Sequence, residues 1–344
     1  MTQLQPQPNQ PALTPDAPPP PPAARAILDE ILAAKKIAIV GHENPDLDCW
    51  GAEVAAARVF TQHGIECRIA NSDRLIDRYD ILDHAGTRRD FTPGEATLDV
   101  DGVLCLDCAT FKRLGAVSGA FPPGKPVWNV DHHISNDRYG TKLYIPDDRT
   151  ASCEILAELF YGMGWTVDKE TARALYAGIL TDTGCFVFRN VRPRTMRLAA
   201  RLIENDFDME AIYRTAYLDK TPEQIALEAR AMAHLKSEMK GRLVYTFTTL
   251  ADYTQAGVGV EATNEFPNIP RAIKGADLAL YFYEIKPGLT KLSSRAVGQI
   301  DVSAMCKQFG GGGHRAAAGA SFAGDAQFAM NQVLPVARAL MGGA

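Results

Sequence analysis

The sequence predicts an α/β protein, in which an N-terminal domain built on a parallel sheet is joined by a helical connector to a smaller α/β C-terminal domain. In the first half of the 344-residue chain, short runs rich in Val, Ile and Leu alternate with helical stretches. This alternation is typical of a parallel sheet covered on both faces. A long segment with few turn signals follows, and beyond it the strand-like runs resume without the same alternation.

The N-terminal tail, residues 1–23, is rich in proline, which accounts for nine of the first 22 residues. We expect this tail to be disordered, because such a segment cannot build a core. Residues 24–192 are predicted to form the first domain. Its predicted strands cover residues 36–40, 67–70, 102–106 and 126–130, and its predicted helices cover residues 48–62, 151–161 and 170–180.

The helical connector is predicted over residues 193–240, where turn signals are few. Residues 241–344 are predicted to form the second, smaller domain. Its strand-like runs are residues 243–249, 277–285 and 291–296. Its most unusual feature is the sequence GGGGH at residues 310–314.

The charge and cysteine content exclude several classes of protein. The formal net charge is −5, which argues against a protein that coats long duplex nucleic acid with a basic surface. The seven cysteines are scattered along the chain, as expected for a reducing compartment, and we therefore predict a cytoplasmic location. We also find no secretory signal and no apolar run of membrane-spanning length, so no membrane partner is expected.

Asp and His side chains gather at the ends of predicted elements. One group follows the first strand, two groups follow later strands, and one follows a helix. The residues are His42, Asp46 and Asp48, then Asp107, then Asp131, His132 and His133, and finally Asp182. Because ligands bind at the carboxyl ends of parallel strands, we expect these side chains to form one site.

A site with several carboxylates requires cations, because like charges raise one another's pKa. Asp oxygens and His nitrogens without Cys suit Mn²⁺ or Mg²⁺. The donors outnumber the four ligands of a tetrahedral zinc site. Two metals about 3.5–4 Å apart would use them all and would support phosphoryl hydrolysis.

Each group also has an ordinary structural interpretation. Asp48 could cap the helix that follows it, and Asp182 could close a turn. His132 and His133 could be a solvated turn pair. It is the occurrence of all four groups together that favours the metal site.

Five motifs carry a family resemblance. The sequences GHENPDLD, LDCATFKRLG, NVDHH, GILTDTGCF and FGGGGHRAAAG occur in this order from residue 41 to residue 319. They resemble the DHH phosphoesterases with a DHH-associated C-terminal domain, and within them the nanoRNase (oligoribonuclease) and pAp phosphatase subfamily. The resemblance covers the chain from about residue 26 to its end. Leu47 and Cys49 differ from the small residues usual in the first motif.

The resemblance implies two Mn²⁺ ions per chain, with Mg²⁺ or Co²⁺ as alternatives. The implied ligands are His42, Asp46 and Asp107 for one ion, and Asp48, Asp107, His132 and Asp182 for the other. Asp107 would bridge the two ions and is a catalytic residue in this interpretation. Asp131 would fix a neighbouring ligand, and His133 would face the scissile phosphate as a catalytic charge stabiliser or proton donor.

Predicted substrate contacts lie in both domains. Consecutive glycines let backbone N–H groups converge on an anion, so Gly311, Gly312 and Gly313 are candidate phosphate-binding residues together with His314. The alternative for this run is a flexible linker. Arg295 and Arg113 match family positions that contact substrate, although a solvated surface arginine is an alternative for Arg113.

The predicted function is therefore that of a Mn²⁺-dependent phosphoesterase that acts by a two-metal mechanism. We expect it to hydrolyse short RNA oligonucleotides to nucleoside 5′-monophosphates, or pAp to AMP, so its partners would be short single-stranded RNA or DNA or small phosphorylated nucleotides. Alternatives are a cyclic di-AMP or pApA phosphodiesterase and a RecJ-like single-strand exonuclease. A nucleotide-binding regulator without activity is the alternative outside enzymes. A homodimer is compatible with the sequence.

Overall fold

The structure is a computed structural model that describes residues 17–73, 77–82, 97–263 and 266–342. The chain divides into two compact units, residues 1–219 and residues 220–344. Residues 1–16 of the predicted proline-rich tail lie outside the described residues. The first helix, α1, begins at Pro22.

The first unit contains a five-stranded sheet in the order β2-β1-β3-β4-β5, and every neighbouring pair is parallel. The predicted α/β class is thereby confirmed. Four strands lie within one residue of the predicted runs, and the three-residue β5 was not predicted because it lacks a long apolar run. The strands are Lys36–Val40 (β1), Glu66–Ile69 (β2), Gly102–Leu106 (β3), Val127–Val130 (β4) and Lys142–Tyr144 (β5).

Alternate residues of the central strands pack into two different cores, as the period of a strand requires. Ile37 and Ile39 of β1 belong to the larger core, which the helices of this unit cover. Ala38 and Val40 face the other core, to which the 3₁₀-helical segment Phe111–Ala120 contributes Leu114 and Val117. The helices are α1 (Pro22–Ala33), α2 (Leu47–Gln62), α3 (Ser152–Gly162), α4 (Lys169–Asp182), α5 (Pro193–Ile203) and α6 (Met209–Tyr213).

Helices α2 and α4 pack very closely, because glycines lie where they meet. A Cβ on Gly51 would overlap the carbonyl oxygen of Ala174, and a Cβ on Gly178 would overlap Cys153 Sγ and Asp48 Oδ1. Small residues at both positions therefore bring the first turn of α2 against α4. This contact places Asp48 beside the C-terminal half of α4.

The second unit contains a six-stranded sheet in the order β10-β11-β9-β8-β7-β6, in which only the β7–β8 pair is parallel among the described strands. The strands are Lys236–Glu238 (β6), Leu243–Thr248 (β7), Leu278–Lys286 (β8), Leu289–Ala296 (β9), Gly312–His314 (β10) and Ala317–Phe322 (β11). The helices are α7 (Pro222–Ala233), α8 (Leu250–Ala256), α9 (Asn268–Arg271), α10 (Val302–Lys307) and α11 (Ala326–Gly342).

The segment predicted as a helical connector contains more than helices. A π-helical turn, Arg214–Leu218, follows α6, and β6 begins at Lys236. The division between the two units falls after residue 219, so α7 belongs to the second unit. Within the described residues, no helix has both the length and the apolar character needed to cross a bilayer.

Candidate metal centre

The predicted site residues of the first unit converge at the carboxyl ends of β1, β3 and β4. These three strands are neighbours in the sheet, so the segments that follow them lie side by side. Asp182 differs, because it is the last residue of α4 rather than part of a loop after that helix. Among the described residues, three groups each have donor atoms that all lie within 4.8 Å of one another. The groups are Asp107, Asp131, His132 and His133; His42, Cys49 and Asp107; and Asp48, His132 and Asp182.

The loop after β1 directs His42 into this centre. Nδ1 of His42 donates to the carbonyl oxygen of Glu43 at 2.7 Å. Its Nε2 therefore faces the acids, 3.5 Å from Asp107 Oδ2 and 3.8 Å from Asp46 Oδ2. Asp46 is the N-cap of α2, where its Oδ1 accepts hydrogen bonds from the backbone N–H groups of Asp48 and Cys49 at 3.0 Å each.

Asp48 does not cap the helix on which it lies. Its carboxylate is fully buried and accepts from the backbone N–H groups of Ser152 at 2.7 Å and Cys153 at 2.9 Å. These groups begin α3, where unpaired N–H groups favour a negative charge. Asp46 caps α2, and Asp48 instead binds a helix more than 100 residues away in the chain.

Asp107 lies at the middle of the centre. Its backbone has a positive φ of 52°, a conformation that Asp tolerates better than most residues. Its Oδ1 accepts from Ser152 Oγ at 3.1 Å and lies 3.3 Å from His132 Nε2 and 3.6 Å from His133 Nδ1. The other oxygen faces His42, so the two oxygens of this carboxylate face opposite parts of the centre.

Asp131 orients the two histidines that follow it. Its Oδ1 accepts from the backbone N–H of His132 at 2.8 Å and from Nδ1 of His133 at 2.7 Å. Its Oδ2 accepts from Asn136 Nδ2 at 2.6 Å. This buried carboxylate is therefore fully engaged in holding its neighbours.

The Nε2 atom of His132 is the clearest sign that this centre holds cations. The atom is buried, 3.2 Å from Asp182 Oδ2, 3.3 Å from Asp107 Oδ1 and 3.8 Å from Asp48 Oδ2. Within the described part of the chain, nothing forms a hydrogen bond with it. A buried nitrogen without a hydrogen bond among three carboxylates fits a divalent metal with mixed nitrogen and oxygen ligands.

The pKa values of the Asp and His side chains show how burial and neighbouring charges act on this centre. Burial raises the pKa of Asp48 well above its ordinary value, and the charges of Asp107 and Asp182 raise it further. Burial also raises the pKa of Asp182, which the neighbouring His132 limits to about 6. Burial would lower the pKa of His42, but the Asp107 and Asp46 carboxylates outweigh it and raise the pKa to about 9. Divalent cations would remove the repulsion among these acids.

Arg113 lies near this centre, and the other predicted substrate contacts lie in the second unit. The carbonyl oxygen of Arg113 accepts from the backbone N–H of Glu43 at 2.7 Å, and its charge acts to lower the pKa of His42. In the second unit, Arg295 on β9 donates to Ser293 Oγ at 3.0 Å.

The glycine run has a structural role of its own. A Cβ on Gly311 would overlap the carbonyl oxygen of Gly319, and Gly313 has a φ of 140°. Gly312 pairs with Gly319 across β10 and β11. The side chain of His314 lies outside the described part of the structure. The roles of these residues toward a substrate remain predictions.

Several residues that build the centre have no signal in the sequence. Ser152 and Cys153 bind Asp48 only because α3 begins beside it. Asn136 bonds to Asp131, and the pair Glu53 and Asn71 lies behind His42. Each contact joins residues from different elements, so no local pattern marks them.

Comparison with known proteins agrees with this arrangement. Residues 36–179 match the family described as "DHH family, N-terminal domain". These residues lie within the N-terminal unit, which therefore carries the match to the DHH family. A curated relative from Thermus thermophilus, named "Bifunctional oligoribonuclease and PAP phosphatase NrnA", is 27% identical over 319 residues, which span 91% of this chain and 93% of the relative.

Solved structures share the fold of this chain. An exopolyphosphatase-related protein from Bacteroides fragilis has a TM-score of 0.84 and 20% identity, with 93% of this chain and 96% of that chain covered. RecJ from Thermus thermophilus in complex with Mn²⁺ has a TM-score of 0.54 and 14% identity, with 95% of this chain and 55% of that chain covered. At these identities the likeness shows the fold alone.

Proposed function

We propose that this DHH protein is a divalent-metal-dependent phosphoesterase that hydrolyses short RNA oligonucleotides to nucleoside 5′-monophosphates and pAp to AMP. The observation that carries the proposal is the buried cluster of carboxylates around His132 Nε2, which has no hydrogen bond to any described residue. The curated relative of matching length, with its oligoribonuclease and PAP phosphatase name, supports this choice of substrates.

The Asp and His side chains of the centre would hold two Mn²⁺ ions. We assign His42, Asp46 and Asp107 to one ion, and Asp48, Asp107, His132 and Asp182 to the other. When bound, such ions supply positive charge to the phosphate and promote attack of water on phosphorus. Asp107 would be shared by the two ions, and the position of its carboxylate between His42 Nε2 and His132 Nε2 supports this assignment.

The chain's own groups would orient the substrate and move a proton. Asp131 accepts from Nδ1 of His133, so we assign the proton exchange with the leaving oxygen to Nε2 of His133. Arg113 is the proposed phosphate contact in this unit. In the second unit, the proposed substrate contacts are Arg295, Gly311, Gly312, Gly313 and His314.

The test is product analysis with three substrates supplied side by side with Mn²⁺: a 5′-phosphorylated RNA dinucleotide, pAp and cyclic di-AMP. The Asp107→Asn variant is the blank, because Asn keeps the size of the side chain and tolerates the positive φ at this position. We expect hydrolysis of the dinucleotide and of pAp by the wild type and none by the variant.

Other outcomes select the alternatives. Turnover of cyclic di-AMP alone would identify a signalling phosphodiesterase. Cleavage of long single strands, with none of the three small substrates, would identify a RecJ-like exonuclease. Bound metal without any turnover would identify a nucleotide-binding regulator.

A further inference from the structure

Two buried polar residues, Glu53 and Asn71, form a chain of hydrogen bonds behind His42. Glu53 lies on α2 and is completely buried, and Asn71 follows β2 and is also buried. Oε2 of Glu53 accepts from Asn71 Nδ2 at 2.8 Å. Oδ1 of Asn71 accepts from the backbone N–H of Gly41 at 3.1 Å. The chain of bonds therefore ends on the residue directly before His42.

The space around Gly41 is filled from the side of α2. A Cβ at this position would overlap Cys49 Sγ and would lie 2.7 Å from Glu53 Oε1. Gly41 is thus held by Asn71 on one side and enclosed by α2 on the other. A buried peptide group fixed in this way has little freedom to turn, so the direction of His42 is fixed as well.

Asn71 and the next residue, Ser72, form hydrogen bonds with different segments of the chain. Ser72 Oγ donates to the carbonyl oxygen of Leu114 at 2.6 Å and accepts from the N–H of Val117 at 2.9 Å. Ser72 therefore holds the segment that carries Arg113, whereas Asn71 holds the loop that carries His42. These two successive side chains therefore hold two different segments of the chain.

We propose that Glu53 and Asn71 are positioning residues that hold Nε2 of His42 toward Asp107 and thereby set the metal affinity of the centre. This inference rests on the metal centre of the proposed function, and it names two residues that the ligand set does not include. Neither side chain is a proposed ligand. Both act through the Gly41 peptide, as partners outside the ligand set do in metal sites.

Isothermal titration calorimetry of the full-length, metal-free protein with Mn²⁺ tests the proposal. Asn71→Ala removes both hydrogen bonds and adds no charge. We expect Mn²⁺ affinity to fall by about 10–100-fold, the effect of losing a partner outside the ligand set.

Glu53→Gln is the conservative variant, because its amide oxygen can still accept from Asn71 Nδ2. Glu53→Leu has a similar size but offers no acceptor. We expect Glu53→Gln to bind Mn²⁺ nearly as tightly as the wild type, and Glu53→Leu to bind it less tightly. A residue that only filled space would not separate these two variants.

Ser72→Ala is the matched control, since it removes a buried hydroxyl one residue away that is bonded to the other segment. Its Mn²⁺ affinity should equal that of the wild type. Thermal unfolding of each variant separates lost binding from lost folding. The proposal is overturned if folded Asn71→Ala binds Mn²⁺ like the wild type, or if Glu53→Leu binds it as tightly as Glu53→Gln.

The calorimetry does not depend on turnover. Wild-type protein that hydrolyses none of the three substrates, yet shows this pattern of affinities, would contradict the substrate assignment and support the positioning role. Wild-type protein that binds no Mn²⁺ would overturn both.

Discussion

At the scale of single residues, Asp131 decides which nitrogen of His133 faces the centre. The carboxylate accepts from Nδ1 at 2.7 Å and is buried. In Asp131→Asn this bond is weakened and the ring is free to turn, while the side chain keeps its size. We expect kcat to fall by about 10–100-fold with a smaller change in KM, measured by steady-state kinetics with Mn²⁺.

The control for this prediction is Asp137→Asn. Asp137 bonds to the backbone N–H of Phe111 at 3.3 Å near the surface. Its substitution should leave kcat near the wild-type value. Equal kcat values for Asp131→Asn and the wild type would show that Asp131 does not orient a catalytic group.

The pKa of His42 predicts how the stability of the metal-free protein depends on pH. Its folded value is about 9, above the ordinary value of 6.5, since the nearby carboxylates outweigh burial. The folded protein therefore binds a proton more tightly than the unfolded chain. This contribution to stability is complete below about pH 6.5 and is lost as the pH rises through about 9.

Burial raises the pKa of Glu53 to about 8, and this acts in the same direction between about pH 4.5 and pH 8. With EDTA present, we expect the urea midpoint of unfolding to fall between about pH 6.5 and about pH 9. The decline should be shallower in His42→Gln. A midpoint that stays constant in the wild type would contradict this prediction.

How far the site could be predicted from sequence differs between its residues. The places of Asp107 and Asp131 at the ends of strands could be predicted, because each directly follows a short, mostly apolar run whose end is easily located. Asp48 was expected either to cap its own helix or to bind metal, and its bonds to Ser152 and Cys153 had no signal. Those partners lie more than 100 residues away, and only the packing of α2 against α3 and α4 brings them together.

At the scale of elements, the contact of α2 with α4 depends on Gly51 and Gly178. In Gly51→Ala, the new methyl group would overlap the Ala174 carbonyl, so we expect a loss of about 1–3 kcal/mol in the free energy of unfolding. Gly178→Ala should destabilise similarly and should also weaken Mn²⁺ binding, because its methyl group would displace Asp48. Urea unfolding and calorimetry measure the two effects.

Gly119→Ala is the matched substitution, since no atom lies within 4 Å of the position that its Cβ would take. It should change neither stability nor affinity appreciably. If Gly178→Ala and Gly51→Ala weakened Mn²⁺ binding equally, the effect on the metal would be a general result of helix displacement rather than of contact with Asp48.

Elements with strong patterns could be predicted, and short ones could not. The helix predicted at residues 170–180 continues to Asp182. Thr181 and Asp182 are polar and do not continue the apolar pattern, but an existing helix can extend over them. The strand β11 has the sequence AAGASF, and a run of such small residues is typical of a loop. It is a strand because its backbone pairs with both β9 and β10.

At the scale of the whole molecule, each unit has a buried core of its own. Leu278, Leu280 and Phe282 lie in the core of the second unit, which contains no proposed metal ligand. We expect Mn²⁺ at about 100 times its Kd to stabilise the first unit by about 2.7 kcal/mol for each ion bound. In hydrogen exchange, peptides from residues 36–179 should gain protection, and peptides from the core of the second unit should not.

The Asp107→Asn variant is the control, since it should show little gain of protection with Mn²⁺. Equal gains across both units in the wild type would contradict the assignment of the metals to the first unit alone.

The wide spacing of the ligands along the chain also governs when the site can form. His42 follows the first strand, whereas Asp182 ends the fourth helix, after every strand of the first sheet has been made. At a synthesis rate of about 5–20 residues per second, on the order of ten seconds separates the two on the ribosome. During that interval the growing chain exposes acids that will later be buried, but it lacks the last ligand. The ion assigned to Asp48, Asp107, His132 and Asp182 can therefore gain its full set of ligands only after Asp182 has been made, so loading of both ions is a late event in the synthesis of the domain.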